Sequence, residues 1–284
     1  MKHHLTAAIA AIALTFSGAA AANELSGVVS VNIGVAALDS SDSQCDEDKY
    51  FTFGGDARVS NQKWIFELQG QSIGSTDNTD DDEGSISFMA AGHYLWEPSD
   101  ELVWGVFGGV QHTTFQDEDD TAYHAFVGAE AARHWDRATV YGQVGYTYAF
   151  AEETDNTWES GPFVRAGFRY FPDENRKIEV EAGTGYGDHD SDGSSDKTNN
   201  YAWGVEYEQQ IGQGPFSFAV SYRGYYTEEG DNFDTANDAT DHVFGLSFRM
   251  ALGNTGSVQE RHQRGADRFR APNHHRAYAY PDQL

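Results

Sequence analysis

Twelve charged residues fall at alternating positions within segments that are otherwise largely apolar: Asp56, Arg58, Glu67, Glu130, Arg165, Arg169, Glu179, Glu181, Glu206, Glu208, Arg223 and Arg249. Carboxylates and guanidinium groups that face one another across a water-filled space set up a transverse field that sorts ions. The same groups can instead pair off and close that space. Spacing alone leaves both outcomes open. A second cluster, Asp188, Asp190 and Asp192 in DHDSDG, has the D-x-D-x-D-G start of a calcium loop, with oxygen ligands ahead of a turning glycine. The twelfth position is Asn199 instead of Glu, and strand-like segments flank the cluster, so it also reads as a solvated acidic loop. Calcium is the one cofactor to consider. His93, His112, His124 and His134 are available to a nucleophile, but no G-x-S-x-G motif accompanies them. A lipid or lipopolysaccharide hydrolase therefore has little support, and no enzymatic activity is expected.

The elements that must position these residues are strands. Between 123 and 135, Tyr123, Ala125, Val127, Ala129 and Ala131 share one face, with His124, Glu130 and His134 on the other. After the Asp136-Arg137 turn the period of two resumes, with Val140, Val144, Tyr146, Tyr148 and Phe150 opposite Tyr141, Gln143 and Thr147. The arms are about twice the usual soluble strand, long enough for a tilted strand to cross a bilayer. The pattern repeats at 25–38, 50–60, 63–74, 85–96, 102–113, 161–171, 177–187, 200–211, 215–226 and 241–252. Short turns alternate with acidic connections at 39–49, 75–84, 117–120, 151–160, 188–199 and 227–239, which contain only Lys49 and Lys197 as bases. The expected fold is all-β: a closed antiparallel up-and-down transmembrane barrel of twelve strands. One merged hairpin would give ten, with 102–113 and 177–187 the least certain strands.

Composition agrees with export. Lys2, the apolar run LTAAIAAIALTF and the small residues ending at Ala22 have the order of a secretory signal peptide, so 1–22 is read as a cleaved signal. No later run is apolar enough for a membrane helix, so a membrane span must be built from strands. The negative mean hydropathy is compatible with this, because inward residues and loops dilute a barrel's apolar face. Cys45 is the single cysteine, which excludes an internal disulfide, and a net charge of −27 argues against nucleic-acid binding. An acidic rim of loops would concentrate cations over a Debye length of about 8–10 Å, or serve only solubility.

Aromatic residues cluster at strand ends, as interfacial girdles require. Trp64, Trp96, Trp104, Trp135, Tyr170, Phe171 and Phe216 sit beside short turns, and Tyr148, Phe150, Tyr186, Tyr201 and Trp203 near the long connections. In this pattern, residues 24–252 resemble the porin-like outer-membrane β-barrels of Gram-negative bacteria, and the barrel domain is read as 23–252. The final strand, with Gly245, Phe248 and Met250, looks like the sorting signal such barrels carry, although the chain continues past Leu252. The resemblance implies an outer-membrane channel for passive diffusion of small hydrophilic solutes, with loops extracellular and both termini periplasmic. The acidic loops would make it cation-preferring. The alternative is a closed structural or adhesive barrel acting through its loops. Expected partners are outer-membrane lipid, lipopolysaccharide, and small solutes or ions. Residues 253–284, with Arg261, Arg264, Arg268, Arg270, Arg276, His262, His274 and His275, read as a basic tail without regular structure. Such a tail could touch a periplasmic partner, stay inert, or fold back against the inward carboxylates.

Overall fold

A computed structural model describes residues 25–40, 49–61, 63–75, 84–115, 121–151, 158–191, 194–229, 239–253 and 256–272. The signal segment, much of the acidic connections, Asp192 and residues 273–284 lie outside this set, as does the side chain of Phe150. The strands are β1 (Ser26–Ser40), β2 (Lys49–Ser60), β3 (Trp64–Ser75), β4 (Gly84–Ser99), β5 (Leu102–Phe115) and β6 (Thr121–Trp135). They continue as β7 (Ala138–Ala151), β8 (Trp158–Asp173), β9 (Arg176–Ser191), β10 (Ser194–Gln210), β11 (Phe216–Glu229) and β12 (Ala239–Gly253). Each pairs antiparallel with its chain neighbours, and β1 pairs with β12 from Ser26 opposite Gly253 to Ser40 opposite Ala239. The sheet is thus a closed twelve-stranded barrel with no free edge. Both doubtful segments are present, as β5 and β9.

The outer face is the apolar one. Val127, Val144 and Phe248 are 63%, 57% and 50% exposed, whereas Arg58, Lys177 and Glu208 on the inner face are at or below 1%. Such an inversion suits a barrel whose surroundings are hydrocarbon. At the turn end, Trp64 lies 4.5 Å from Tyr94, Tyr94 4.5 Å from Trp96, and Trp96 4.6 Å from Trp104, forming a continuous aromatic band. Tyr201 and Tyr226, 5.9 Å apart, stand on β10 and β11 toward the loop end.

Three expectations need correction. The connection 188–199 is not a long loop: β9 and β10 stay paired up to Ser191 opposite Ser194. Asp188 and Asp190 lie on extended backbone, and their side chains, with Asp192, lie outside the described residues. Phe171 does not belong to the outer girdle. Alternation sends Tyr170 outward and Phe171 inward, where it is fully buried with its ring 6.3 Å from that of His262. Finally, residues 256–272 of the basic tail are ordered. They form α1 (Val258–Arg264), capped by Ser257, and then an irregular stretch within the barrel. Arg261, Arg268 and Arg270 find carboxylate partners there in place of water.

A mid-strand charge distinguishes a lipid-facing surface from a water-facing one. Val144→Arg should destabilise the barrel folded in lipid bilayers by about 2–4 kcal/mol. Denaturant titration in vesicles reads this; a change near zero would mean that Val144 faces water.

Candidate functional site

Alternation places all twelve charged residues named from sequence on the interior, where they assemble into connected ion pairs. Register brings Glu206 of β10 opposite Glu179 of β9, a like-charge pair that would be destabilising alone. Lys177 resolves it. Its Nζ lies 2.6 Å from Glu179 Oε2, 2.7 Å from Glu206 Oε1 and 3.6 Å from Glu208 Oε2. Arg249 of β12 reaches across β11 to Glu206, with Nη2 2.8 Å from Oε2, and its Nη1 also bonds Glu208. On β8, Arg169 Nε donates to Glu179 Oε1 at 2.9 Å and stacks over the Tyr141 ring at 4.3 Å, while Arg165 pairs with Glu181. The Tyr141 hydroxyl lies 2.8 Å from Glu179 Oε1 and 3.0 Å from Glu181 Oε2. Arg58 pairs with Asp56 at 2.7 Å. Arg223 is the loosest, 3.9 Å from Glu181.

The inner face of β3 to β8 also carries two apolar clusters, beside polar groups such as Glu67, His93 and Glu130, and alternation had hidden them behind the outward stripe. Ile65, Leu95, Val103, Ala132 and Tyr141 form one buried cluster with Phe269 of the tail. Met89, Ala91, Phe107, Phe126 and Phe163 form a second with Ala271. Rings lie over some inner glycines, while Gly54, Gly183 and Gly185 line a cavity beyond the tail. A Cβ on Gly145 would meet Phe163 Cζ at 2.5 Å, and one on Gly167 would meet the Tyr141 ring at 2.3 Å.

The tail fills the turn-end half of this interior. Glu208 is the hub: Arg261 Nη2 lies 2.7 Å from its Oε1, His262 Nε2 2.9 Å from its Oε2, and Ser217 Oγ donates to Oε1 at 2.8 Å. Asp267 Oδ1 is 2.8 Å from Arg58 Nη1, and Arg268 pairs with Glu97. The barrel also grips the tail main chain. Arg169 Nη1 donates to the Arg268 carbonyl at 2.8 Å and Gln143 Nε2 to the Arg270 carbonyl at 2.9 Å, and the Ala271 N–H donates to Glu67 at 2.8 Å. Glu130, the neighbour of this grip, accepts from Gln143 and lies 2.9 Å from His93 Nδ1. Beyond the tail remains a cavity of about 260 Å³ with Arg270, Ala271 and Pro272 on its floor. Asn32, Thr52, Asp56, Arg165, Glu181 and Arg223 are in its walls, and it extends to Asn200 and Thr227.

Sequence reading missed Lys177, although the alternation through Glu179 and Glu181 already placed it inward. For the tail, the structure selects one of the three outcomes that the sequence left open, folding back against the inward carboxylates. The available signal was charge: the seven acids singled out exceed the five arginines, and the tail supplies Arg261, Arg268 and Arg270 against Asp267.

No protein-family model and no curated protein sequence matches this chain. Solved structures do. An outer membrane channel from Pseudomonas putida F1 superposes with a TM-score of 0.53 at 12% identity, over 80% of this chain and 95% of that one. A FadL homologue from Pseudomonas aeruginosa gives 0.45 at 9% identity, over 82% and 91%. The KdgM porin gives 0.42 at 11%, over 76% and 98%. At these identities the likeness is one of fold. This chain has the fold of the porin-like outer-membrane β-barrels, with part of its lumen occupied by its own C-terminal segment.

Proposed function

We propose that this chain is an exported outer-membrane channel that passes small hydrophilic solutes by passive diffusion and prefers cations. The observation that carries this reading is a polar, charge-lined cavity of about 260 Å³ inside a closed barrel whose outer face is apolar. Polar and charged walls favour hydrated solutes over apolar ones, and the mixture of Asp56 and Glu181 with Arg165 and Arg223 gives the cavity itself no dominant sign. Cation preference is assigned instead to the acidic connections beyond the loop end, such as Asp80–Glu83 and Asp117–Asp120. In this reading residues 1–22 direct export, the outer surface contacts lipid and lipopolysaccharide, the long connections are extracellular, and both termini are periplasmic.

A second reading is favoured by the tail: with the turn-end half of the lumen filled, the barrel would be a closed structural or adhesive element working through its loops. Conductance separates the two. Purified protein in a planar bilayer should give discrete steps, and a tenfold salt gradient should give a reversal potential of cation-selective sign. Folded barrels that insert without any steps would favour the closed reading. Replacing Asp80, Asp81, Asp82, Glu83, Asp117, Glu118, Asp119 and Asp120 with their amides should reduce the reversal potential by at least half and leave folding intact. An unchanged potential would move selectivity to the lumen.

A further inference from the structure

We propose that the turn-end half of the lumen is a binding site for an arginine-bearing peptide segment, filled in cis by residues 256–272, which leave and re-enter it as a tethered blocker. The inference deepens the channel reading, but its binding half stands without it. The barrel is complete before the tail begins: β12 pairs with β1 and β11 along its length, and among the described residues no strand takes the tail as a partner. Departure of the tail therefore breaks no strand pairing. At Gly253 φ is +79°, and a Cβ there would meet the Leu25 carbonyl oxygen at 2.3 Å, so the chain leaves β12 through a conformation reserved for glycine.

What the barrel offers is suited to a peptide of defined chemistry. Glu208 and Glu97 receive two guanidinium groups, from Arg261 and Arg268. Arg169, Gln143 and Glu67 bind the main chain from Arg268 to Ala271 as a strand or peptide receptor would, with two donors to carbonyls and one acceptor for an N–H. The two apolar clusters take in Phe269 and Ala271. Charge, main chain and side-chain shape are thus all read over a segment of about a dozen residues.

Among the described residues five ion pairs join the tail to the barrel, and such contacts can be exchanged for water. A buried pair is costly to break when one partner stays dry. Here departure of the tail admits water to the space it vacates, so Glu208 and Glu97 become hydrated, and Lys177 and Arg249 still neutralise Glu208. A tether raises the local concentration to the order of millimolar, so the site stays mostly filled even at an intrinsic affinity of roughly tens of micromolar. Openings then reflect the fraction of time the tail is out.

The test uses barrels ending at Gly253 and a fluorescein-labelled synthetic peptide of residues 256–272. Anisotropy in detergent should show saturable binding that weakens at least tenfold in 1 M salt. Peptides carrying Arg261→Gln with Arg268→Gln, or Phe269→Ala, should bind at least tenfold more weakly. In planar bilayers the shortened barrel should give larger steps than the full chain, and peptide added from the turn side should block them reversibly. Folded shortened barrels that do not bind the peptide overturn the site. Binding without any conductance sinks the channel reading and leaves the site standing; conductance without binding or block does the reverse. Should the shortened barrel fail to fold, the full chain decides. In a Cys45→Ser, Ala271→Cys background, a bilayer-impermeant maleimide should label at least tenfold faster when Arg261→Gln is added, and equal rates overturn the proposal.

Discussion

Closure is the constraint from which the remaining features follow. In hydrocarbon each unpaired backbone N–H or C=O costs several kcal/mol, so a strand-built span has no tolerable edge. The register of β1 against β12, fifteen consecutive pairs from Ser26–Gly253 to Ser40–Ala239, removes that edge. Once the sheet is closed, its two faces acquire different solvents. The outer one takes Val127, Val144 and Phe248, and the inner one takes every charge that alternation places opposite them.

Twelve strands enclose an interior between the side-chain-filled eight-stranded barrel and the open sixteen-stranded pore. This chain fills that intermediate volume unevenly. Rings of Phe107, Phe126, Phe163 and Tyr141 occupy one wall, two of them lying over the glycines Gly145 and Gly167, while β8 to β12 carry the ion pairs of the other. The tail lies between, arginines toward the carboxylates and Phe269 toward the rings. The amphipathic character of residues 256–272 is matched to the asymmetry of the barrel, and this matching places them inside it.

Local pattern made most of the barrel legible. A period of two is visible within a dozen residues, so the strands, the inward placement of Glu179, Glu181, Glu206, Glu208 and Arg249, and the outward Trp64, Trp96 and Trp104 could all be read. Features that needed partners distant in sequence could not. Arg268 meets Glu97 across 171 positions and Ala271 meets Glu67 across 204, and no window contains both ends. The inner aromatic wall was obscured for a different reason. In stretches such as 103–107 apolar residues occupy both faces, and alternation marks a strand without telling which apolar stripe touches lipid. Phe171 was misassigned for the same reason. The surplus of inward acid was the one global clue to the tail, and it becomes decisive only once the inward face is known.

The central claim is that one face of each strand meets acyl chains while the next residue faces an enclosed interior. Oxygen accessibility of spin labels, attached to single cysteines introduced along Val140–Tyr148 in a Cys45→Ser background and measured in lipid vesicles, tests it directly. The account predicts a period of two, with high accessibility at positions 140, 144, 146 and 148 and low accessibility at 141, 143 and 147. A flat profile, or maxima at the inward set, would contradict it.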